Sequence, residues 1–207
     1  MAEPLIIYAH GFNSSPQSAK ARLMQAVMDK QGCGDRLRVP ALSHWPQEAM
    51  AQLQTEIDQA DGPVTLVGSS LGGYYSTWLV EHNPGVRAVL VNPAVRPYEL
   101  LEEWLGTNTN LYTDDNYELT ETHLEQLKAI YCPQLQDPSR YLLLVQTADD
   151  TIDYRESVEK FAGSHQFVQP GGSHGFEQFE ALIPAVQAFA EGRVELPEPT
   201  PLPVASL

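Results

Sequence analysis

An abrupt change from an apolar run to glycine and serine constrains the fold of this chain more than any other feature. Residues 64–67 are β-branched or aliphatic, and they lead directly into Gly68-Ser69-Ser70-Leu71-Gly72. A G-x-S-x-G sequence between a strand and a helix predicts a sharp turn that leaves the central serine, Ser70, exposed at the strand end. Glycine is expected on both sides because the turn brings backbone segments too close for a Cβ atom.

Other short apolar runs alternate with segments of helical periodicity. Each run lacks the polar alternation of a half-solvated strand, which favours strands buried on both faces of a parallel sheet with helices on either side. We therefore predict a three-layer α/β fold with a mostly parallel sheet of about six strands. The predicted strands are Leu5 to Ala9, Leu37 to Leu42, the run before Ser70, Ala88 to Asn92, Tyr141 to Thr147 and Gln166 to Gln169.

Three helices are predicted in the first half of the chain. Ser15 and Pro16 have the residue types of an N-cap and first helical position, Pro46 opens a second helix, and a third runs from Ser70 or Leu71 to about His82.

The alternation is lost between residues 93 and 136, which we call the cap segment. We expect Tyr98 to Leu105 and Thr120 to Ile130 to be helical and to form a small cap over the strand ends. Its aromatic side chains are then candidates for binding a substrate; they are Trp104, Tyr112 and Tyr117. The alternative is that the cap segment is a solvent-exposed stretch of the surface.

The length of 207 residues predicts one domain, residues 1–192, followed by a tail at residues 193–207. Four prolines and few apolar residues predict that the tail is disordered, so we expect its removal to change neither activity nor melting temperature.

Charge and composition exclude several classes of function. A net charge of −15 disfavours binding to nucleic acid or to anionic membranes. The first residues lack a basic and apolar signal sequence, so we expect a cytoplasmic protein, with Cys33 and Cys132 as reduced thiols. No phosphate-binding glycine motif is present, and we predict neither a cofactor nor a metal.

Chemistry-bearing residues follow the predicted strands, where ligands bind in parallel sheets. A serine hydroxyl needs an imidazole base, and the base needs a carboxylate to hold its tautomer. Ser70, then an aspartate after the fifth strand, then His174 in Gly-Gly-Ser-His-Gly match this requirement in the order known for one class of serine enzymes. We predict that Asp149 is the carboxylate that holds the imidazole, and Asp150 remains the alternative. Asp153 has the position of an N-cap, and a magnesium site is disfavoured because Asp149-Asp150-x-x-Asp153 trails a strand.

When a serine attacks a carbonyl carbon, a tetrahedral intermediate forms, and its negatively charged oxygen needs two backbone N–H donors. Leu71, which follows the serine, and Phe12, in the loop after the first strand, are the candidates for this oxyanion hole. Gly11 allows the loop to turn, and His10 is expected to order it. Asn92, after the fourth strand, lies at the same edge of the sheet.

These residues resemble the α/β-hydrolase superfamily and, more narrowly, the YqiA-like family of small bacterial esterases. The resemblance spans Leu5 to about Ala190, and its landmarks are His10 to Pro16, Gly68 to Tyr75, Asn92 to Pro97, Asp153 to Arg155 and Gly171 to Phe176. It implies a fold without the two leading antiparallel strands, Ser70, Asp149 and His174 as a triad, and activity on short acyl esters or thioesters. One departure is Asp149-Asp150, where relatives carry Gly-Asp-Glu.

The leading hypothesis is a serine esterase that forms an acyl-Ser70 intermediate with a small-molecule substrate. The alternatives are an acyl-CoA-type thioesterase and an inactive hydrolase-fold protein that binds partners. The sequence does not indicate an oligomeric state.

Overall fold

A six-stranded parallel sheet forms the centre of the protein. The structure, a computed structural model, describes residues 3–204. The strand order is β2-β1-β3-β4-β7-β8, and β5 and β6 pair separately as an antiparallel hairpin. The bounds are β1 (Leu5–Ala9), β2 (Leu37–Arg38), β3 (Val64–Ser69), β4 (Arg87–Val91), β5 (Gly106–Thr109), β6 (Asn116–Leu119), β7 (Tyr141–Gln146) and β8 (His165–Gln169).

Helices cover both faces of the sheet, which confirms the predicted three-layer α/β class. One face packs against α1 and α7, and the other against α2, α3 and α5. The bounds are α1 (Ala19–Lys30), α2 (Pro46–Asp58), α3 (Leu71–His82), α4 (Pro97–Leu100), α5 (Glu121–Ala129), α6 (Tyr154–Lys160) and α7 (Ile183–Ala190). None of the helices in residues 3–204 is long and apolar enough to cross a membrane.

Two apolar clusters, one on each face, hold the layers together. Successive residues of a strand point to opposite faces, so Ile6 packs with α1 and α7 while Ile7 packs with α2 and α3. All residues of β3 and β7 are buried, as expected for central parallel strands. Burial of each large aliphatic side chain contributes about 1.5–3 kcal/mol.

Two boundaries in the first third of the chain differ from the prediction. β2 has only two residues, because it is an edge strand and Pro40, which follows it closely, has no N–H to continue the pairing. α1 begins at Ala19 rather than near Pro16. Ser15 instead accepts a hydrogen bond from the Gln17 N–H at 3.0 Å in a turn before the helix.

The cap segment is less helical than we expected. α4 with a 3₁₀ turn at Leu101–Trp104, and α5, occupy the two predicted helices, but the residues between them form the β5–β6 hairpin. Gly106 pairs with Leu119 and Thr109 with Asn116. These strands are mostly polar and partly exposed, so they lack the alternation of apolar and polar residues that predicts a strand.

Within the part of the tail that the structure describes, residues 193–204, contacts with the domain are present where we expected disorder. Leu196 packs against the apolar cluster beside α7, and the Leu202 N–H donates to the Pro170 carbonyl at 2.8 Å. Backbone hydrogen bonds supply much of this attachment, which is why apolar content alone did not predict it.

Candidate active site

Ser70 lies in a strained turn between β3 and α3. Its backbone has φ 53° and ψ −118°, which is unfavourable for a residue with a Cβ atom and requires close support from the surroundings. A Cβ atom at Gly68 would lie 2.5 Å from the Gly72 carbonyl oxygen, and one at Gly72 would lie 2.0 Å from that of Ala9. The two glycines are therefore required by packing, and the turn points the Ser70 hydroxyl away from the sheet end.

The side chains of Ser70, His174 and Asp149 form a continuous hydrogen-bonded chain. Ser70 Oγ is 3.2 Å from His174 Nε2, and His174 Nδ1 is 2.8 Å from Asp149 Oδ2. Because an ionised carboxylate only accepts hydrogen bonds, the imidazole proton resides on Nδ1 and Nε2 can accept the serine proton. The structure thus brings together three residues that are 79 and 25 positions apart in sequence.

The surroundings of Asp149 distinguish it from Asp150. Asp149 Oδ1 accepts the backbone N–H groups of Thr151 at 2.9 Å and Ile152 at 2.8 Å, and its side chain is 1% exposed. Asp150 is exposed. Asp153 caps α6 through the Arg155 N–H, as predicted. Of the three carboxylates, only that of Asp149 contacts His174 among the described residues.

The loop that carries His174 is held by three polar side chains. Asn92 Nδ2 donates to the carbonyls of Ser173 and His174 at 3.0 and 3.1 Å, and Lys20 Nζ donates to that of Gly175 at 2.8 Å. Gln146 Oε1 accepts from the Ser173 N–H at 3.0 Å.

Sequence reasoning noted Asn92 but missed the other two. Gln146 is a polar residue that ends an otherwise apolar strand, a signal that could have identified it. Lys20 lies on a helix far away in sequence and gave no such signal.

The two candidate oxyanion donors lie beside the same cavity as Ser70. Within residues 3–204, the backbone N–H groups of Phe12 and Leu71 donate to no protein acceptor, which leaves them available to a ligand. A Cβ atom at Gly11 would lie 3.2 Å from Ser70 Cβ, so glycine permits the close approach of this loop.

His10 orders the loop, as the sequence predicted. Its Nε2 accepts the Leu42 N–H at 3.1 Å, so the ring proton is on Nδ1 and faces the Gly11 carbonyl oxygen at 3.2 Å. Burial lowers the pKa of His10, which favours this neutral form.

A largely apolar cavity of about 460 Å³ opens next to Ser70 and His174. Trp104 lines it, as expected, and its ring meets that of Phe12 edge-on with centroids 5.7 Å apart. The other apolar side chains of its wall are Leu71, Ala94, Pro97, Leu100, Leu101, Leu111 and Ile152.

Tyr112 and Tyr117 do not line this cavity, contrary to the prediction. Tyr112 lies in the turn of the hairpin and is exposed. The Tyr117 hydroxyl instead donates to Asn13 Oδ1 at 2.6 Å, and the Leu111 N–H donates to the Asn13 carbonyl at 3.0 Å. The hairpin therefore supports the loop that presents Phe12, a contact that aromatic character alone could not reveal.

The cavity lining contains one carboxylate, that of Glu103. Apart from His174, no other described residue of the lining has an ionisable side chain. Arg96, the arginine of the cap segment, is paired with Glu99 at 3.0 Å and Glu156 at 2.7 Å. Arg155 is likewise paired with Asp153 at 2.6 Å. Arg96 and Arg155 are thus each paired with carboxylates, whereas Lys20 Nζ donates to a backbone carbonyl.

A parallel sheet with this strand order, and a serine at a strained strand-to-helix turn, define the α/β-hydrolase class. Solved structures of that class share the fold over most of their length. Alpha/beta hydrolase domain-containing protein 10 from mouse matches with a TM-score of 0.69 and 17% identity, over 93% of this chain and 91% of that one.

Two further solved structures show the same fold. Est1E from Butyrivibrio proteoclasticus with ferulic acid bound has a TM-score of 0.65 and 14% identity, over 92% and 89% of the two chains. The esterase domain of a Rhodothermus marinus protein has a TM-score of 0.62 and 15% identity, over 92% and 88%. The α/β-hydrolase fold implied by the sequence resemblance is confirmed.

The particular family is UPF0227, described as "Uncharacterised protein family (UPF0227)", whose model matches residues 5–191; the chain belongs to this family. A UPF0227 protein of Shewanella sp. (strain MR-7) is 22% identical over 198 residues, a match that covers 91% of this chain and 100% of the relative.

Proposed function

We propose that this protein is a serine-dependent carboxylic ester hydrolase that acts on small esters with an apolar acyl group. The observation that carries the proposal is the hydrogen-bonded chain from Ser70 Oγ through His174 to Asp149, with distances of 3.2 and 2.8 Å, beside an apolar cavity. The solved esterases of the same fold are consistent with it.

In the proposed reaction, Ser70 Oγ attacks the ester carbonyl carbon while His174 Nε2 takes the hydroxyl proton. The resulting imidazolium is stabilised by the Asp149 carboxylate, and the negative charge on the substrate oxygen by the N–H groups of Phe12 and Leu71. His174 then returns the proton to the leaving alcohol, which departs and leaves acyl-Ser70. A water molecule, deprotonated by His174, releases the carboxylic acid. The steps need side chains and water, and no cofactor.

The cavity supports an apolar acyl group rather than a polar one. Its wall is formed mainly by aliphatic side chains and Trp104, and transfer of each methylene from water to such a surface contributes about 0.8 kcal/mol. The cavity volume of about 460 Å³ leaves room for an acyl chain longer than acetyl.

A fluorophosphonate probe tests the proposal directly, because it reacts with a serine that an imidazole activates. We expect peptide mass spectrometry to find one adduct, on Ser70. The Ser70→Ala variant should carry no adduct, and its rate of p-nitrophenyl ester hydrolysis should be lower by on the order of 10⁴-fold or more.

Ser69→Ala is the matched control, since Ser69 is the adjacent serine but is not part of the hydrogen-bonded chain. This variant should still be labelled on Ser70. Folded wild-type protein without an adduct on Ser70 would contradict the proposal and favour the alternative of a hydrolase-fold protein that only binds partners.

A further inference from the structure

The C-terminal segment from Leu196 to Val204, which we call the strap, runs alongside the residues that follow β8. Three hydrogen bonds join the two: Gln169 Nε2 donates to the Thr200 carbonyl at 3.2 Å, the Leu202 N–H to that of Pro170 at 2.8 Å, and the Gly172 N–H to that of Pro203 at 3.1 Å. Gly172 and Val204 form a parallel β-bridge. The strap thus continues the sheet edge beyond the last residue of β8.

The contact is close enough to require glycine. A Cβ atom at Gly171 would lie 1.9 Å from the Leu202 carbonyl oxygen. Gly171 and Gly172 also have positive φ angles, 85° and 78°, which glycine adopts without strain. Because glycine is the most permissive residue, this two-residue segment has little conformational preference of its own and depends on its neighbours for order.

Residues 171–172 lie between the strap and the loop that carries Asp149. On the side opposite the strap, the Gly171 N–H donates to Thr147 Oγ1 at 2.9 Å and its carbonyl accepts from the Ala148 N–H at 3.0 Å. Asp149 follows Ala148 directly, and His174 follows Gly172 by two residues. Two glycines held from both sides therefore separate the strap from the base and the acid of the proposed site.

We propose that the strap is a positioning segment that holds His174 against Ser70 and Asp149. The inference rests on the proposed function, since it assigns the strap to the geometry of that reaction. Without the strap, the glycine pair is fixed from one side only, and the His174 ring samples positions away from Ser70. Small misplacements of a reacting group lower rates strongly, on the order of 10²-fold per ångström.

The strap shares this task with the side chains that hold the rest of the loop. Asn92, Gln146 and Lys20 bind Ser173, His174 and Gly175, and they remain in place without it. Loss of the strap is therefore expected to weaken catalysis rather than abolish it, and to leave the acyl cavity intact. This reverses the expectation from sequence that the tail is dispensable.

Truncation after Arg193 tests the proposal. Arg193 is kept because its N–H donates to the Ala188 carbonyl at the end of α7. We expect kcat for a p-nitrophenyl ester to fall at least tenfold and the rate of fluorophosphonate labelling of Ser70 to fall in parallel, with KM changed by less than twofold; these are order-of-magnitude expectations. A purely structural role would lower the melting temperature without this split between kcat and KM.

A point variant keeps the test decisive if the truncated chain does not fold. Leu202→Pro removes the N–H that binds Pro170, whereas Leu202→Ala keeps it and serves as the matched control. We expect Leu202→Pro to lower kcat more than Leu202→Ala does. A folded truncation or Leu202→Pro variant with wild-type kcat would overturn the proposal, while absence of activity and labelling in the wild type would instead refute the proposed function.

Discussion

Asp149 and Asp150 are adjacent in sequence, but their carboxylates have different surroundings. The Asp149 side chain is buried, accepts two backbone N–H groups and contacts His174, while Asp150 is exposed. An amide at position 149 could still bind the ring, but it would donate to it and favour the wrong tautomer of His174.

We therefore expect Asp149→Asn to lower kcat for ester hydrolysis by on the order of 10⁴-fold. Asp150→Asn, the matched control, should retain wild-type kcat within about twofold, as an exposed side chain without contact to the base contributes little. Steady-state kinetics of both variants check this. Equal losses in the two would show that Asp149 has no special role.

At the residue scale, the sequence was most informative at strand ends. Ser70, Asp149 and His174 were found because each follows a predicted strand, and parallel strands place their ends together. Tyr112 and Tyr117 were assigned to the cavity because they are aromatic residues of the cap segment, which we expected to cover the strand ends. Their actual positions depend on the hairpin, which the local sequence did not predict.

The element that contains Tyr117 is anchored by a stack of aromatic rings between α2 and α5. Tyr117 stacks on His44 with centroids 4.3 Å apart, and Trp45 on His123 at 3.7 Å. His44 Nδ1 lies 3.1 Å from His123 Nε2. His123 Nδ1 accepts the Thr120 N–H, so its proton is on Nε2 and is donated to His44. Both rings must be neutral for this arrangement, because a proton on His44 Nδ1 would place two donors face to face.

The stack predicts a loss of stability at acidic pH. Burial is the main cause that lowers the pKa of both His44 and His123 below the ordinary value of 6.5. Below about pH 6.5 the unfolded chain therefore binds more protons than the folded one. The free energy of unfolding has its full value above about pH 6.5 and decreases as the pH falls below this value. Urea titrations at pH 7.5 and pH 5 should show this decrease.

His44→Phe should reduce the decrease, because it keeps a ring in the stack and removes one titrating group; part of the effect remains through His123 and His10. His82→Gln is the control, since His82 is exposed and outside the stack. A pH dependence that is the same in His44→Phe and the wild type would contradict the assignment.

At the element scale, long apolar runs predicted the sheet well and polar segments did not. The runs that became β3 and β7 are buried over their whole length, so hydrophobicity alone specified them. The β5–β6 hairpin is specified by backbone pairing and by its contacts with Asn13, which join residues about a hundred positions apart. No local pattern records such contacts.

The whole molecule carries a net charge of −15, and the cavity lining includes the carboxylate of Glu103. The electrostatic field of this negative charge repels anionic substrates over roughly 30 Å at 0.01 M salt but over only about 10 Å at 0.1 M salt. The protein should therefore discriminate against substrates with phosphate groups, whatever the bond that is cleaved.

Two thioesters with the same acyl group isolate this effect. We expect octanoyl-N-acetylcysteamine to have a kcat/KM about tenfold or more above that of octanoyl coenzyme A at low salt, with the ratio falling as salt rises. Glu103→Gln should lower the ratio and Glu125→Gln, on the exposed face of α5, should not. A ratio near one at low salt would contradict this and support the acyl-CoA thioesterase alternative.

The positions of Ser70 and His174 in the sheet have a further consequence. Ser70 follows β3 in the interior of the sheet, whereas His174 follows β8, which has a strand neighbour on one side only. Edge elements open at a lower free energy than central ones, so we expect Ser70 and His174 to separate before the core unfolds. Catalytic inactivation by heat or urea is thus expected to precede global unfolding, and an activity curve would report the local stability of one sheet edge rather than that of the protein.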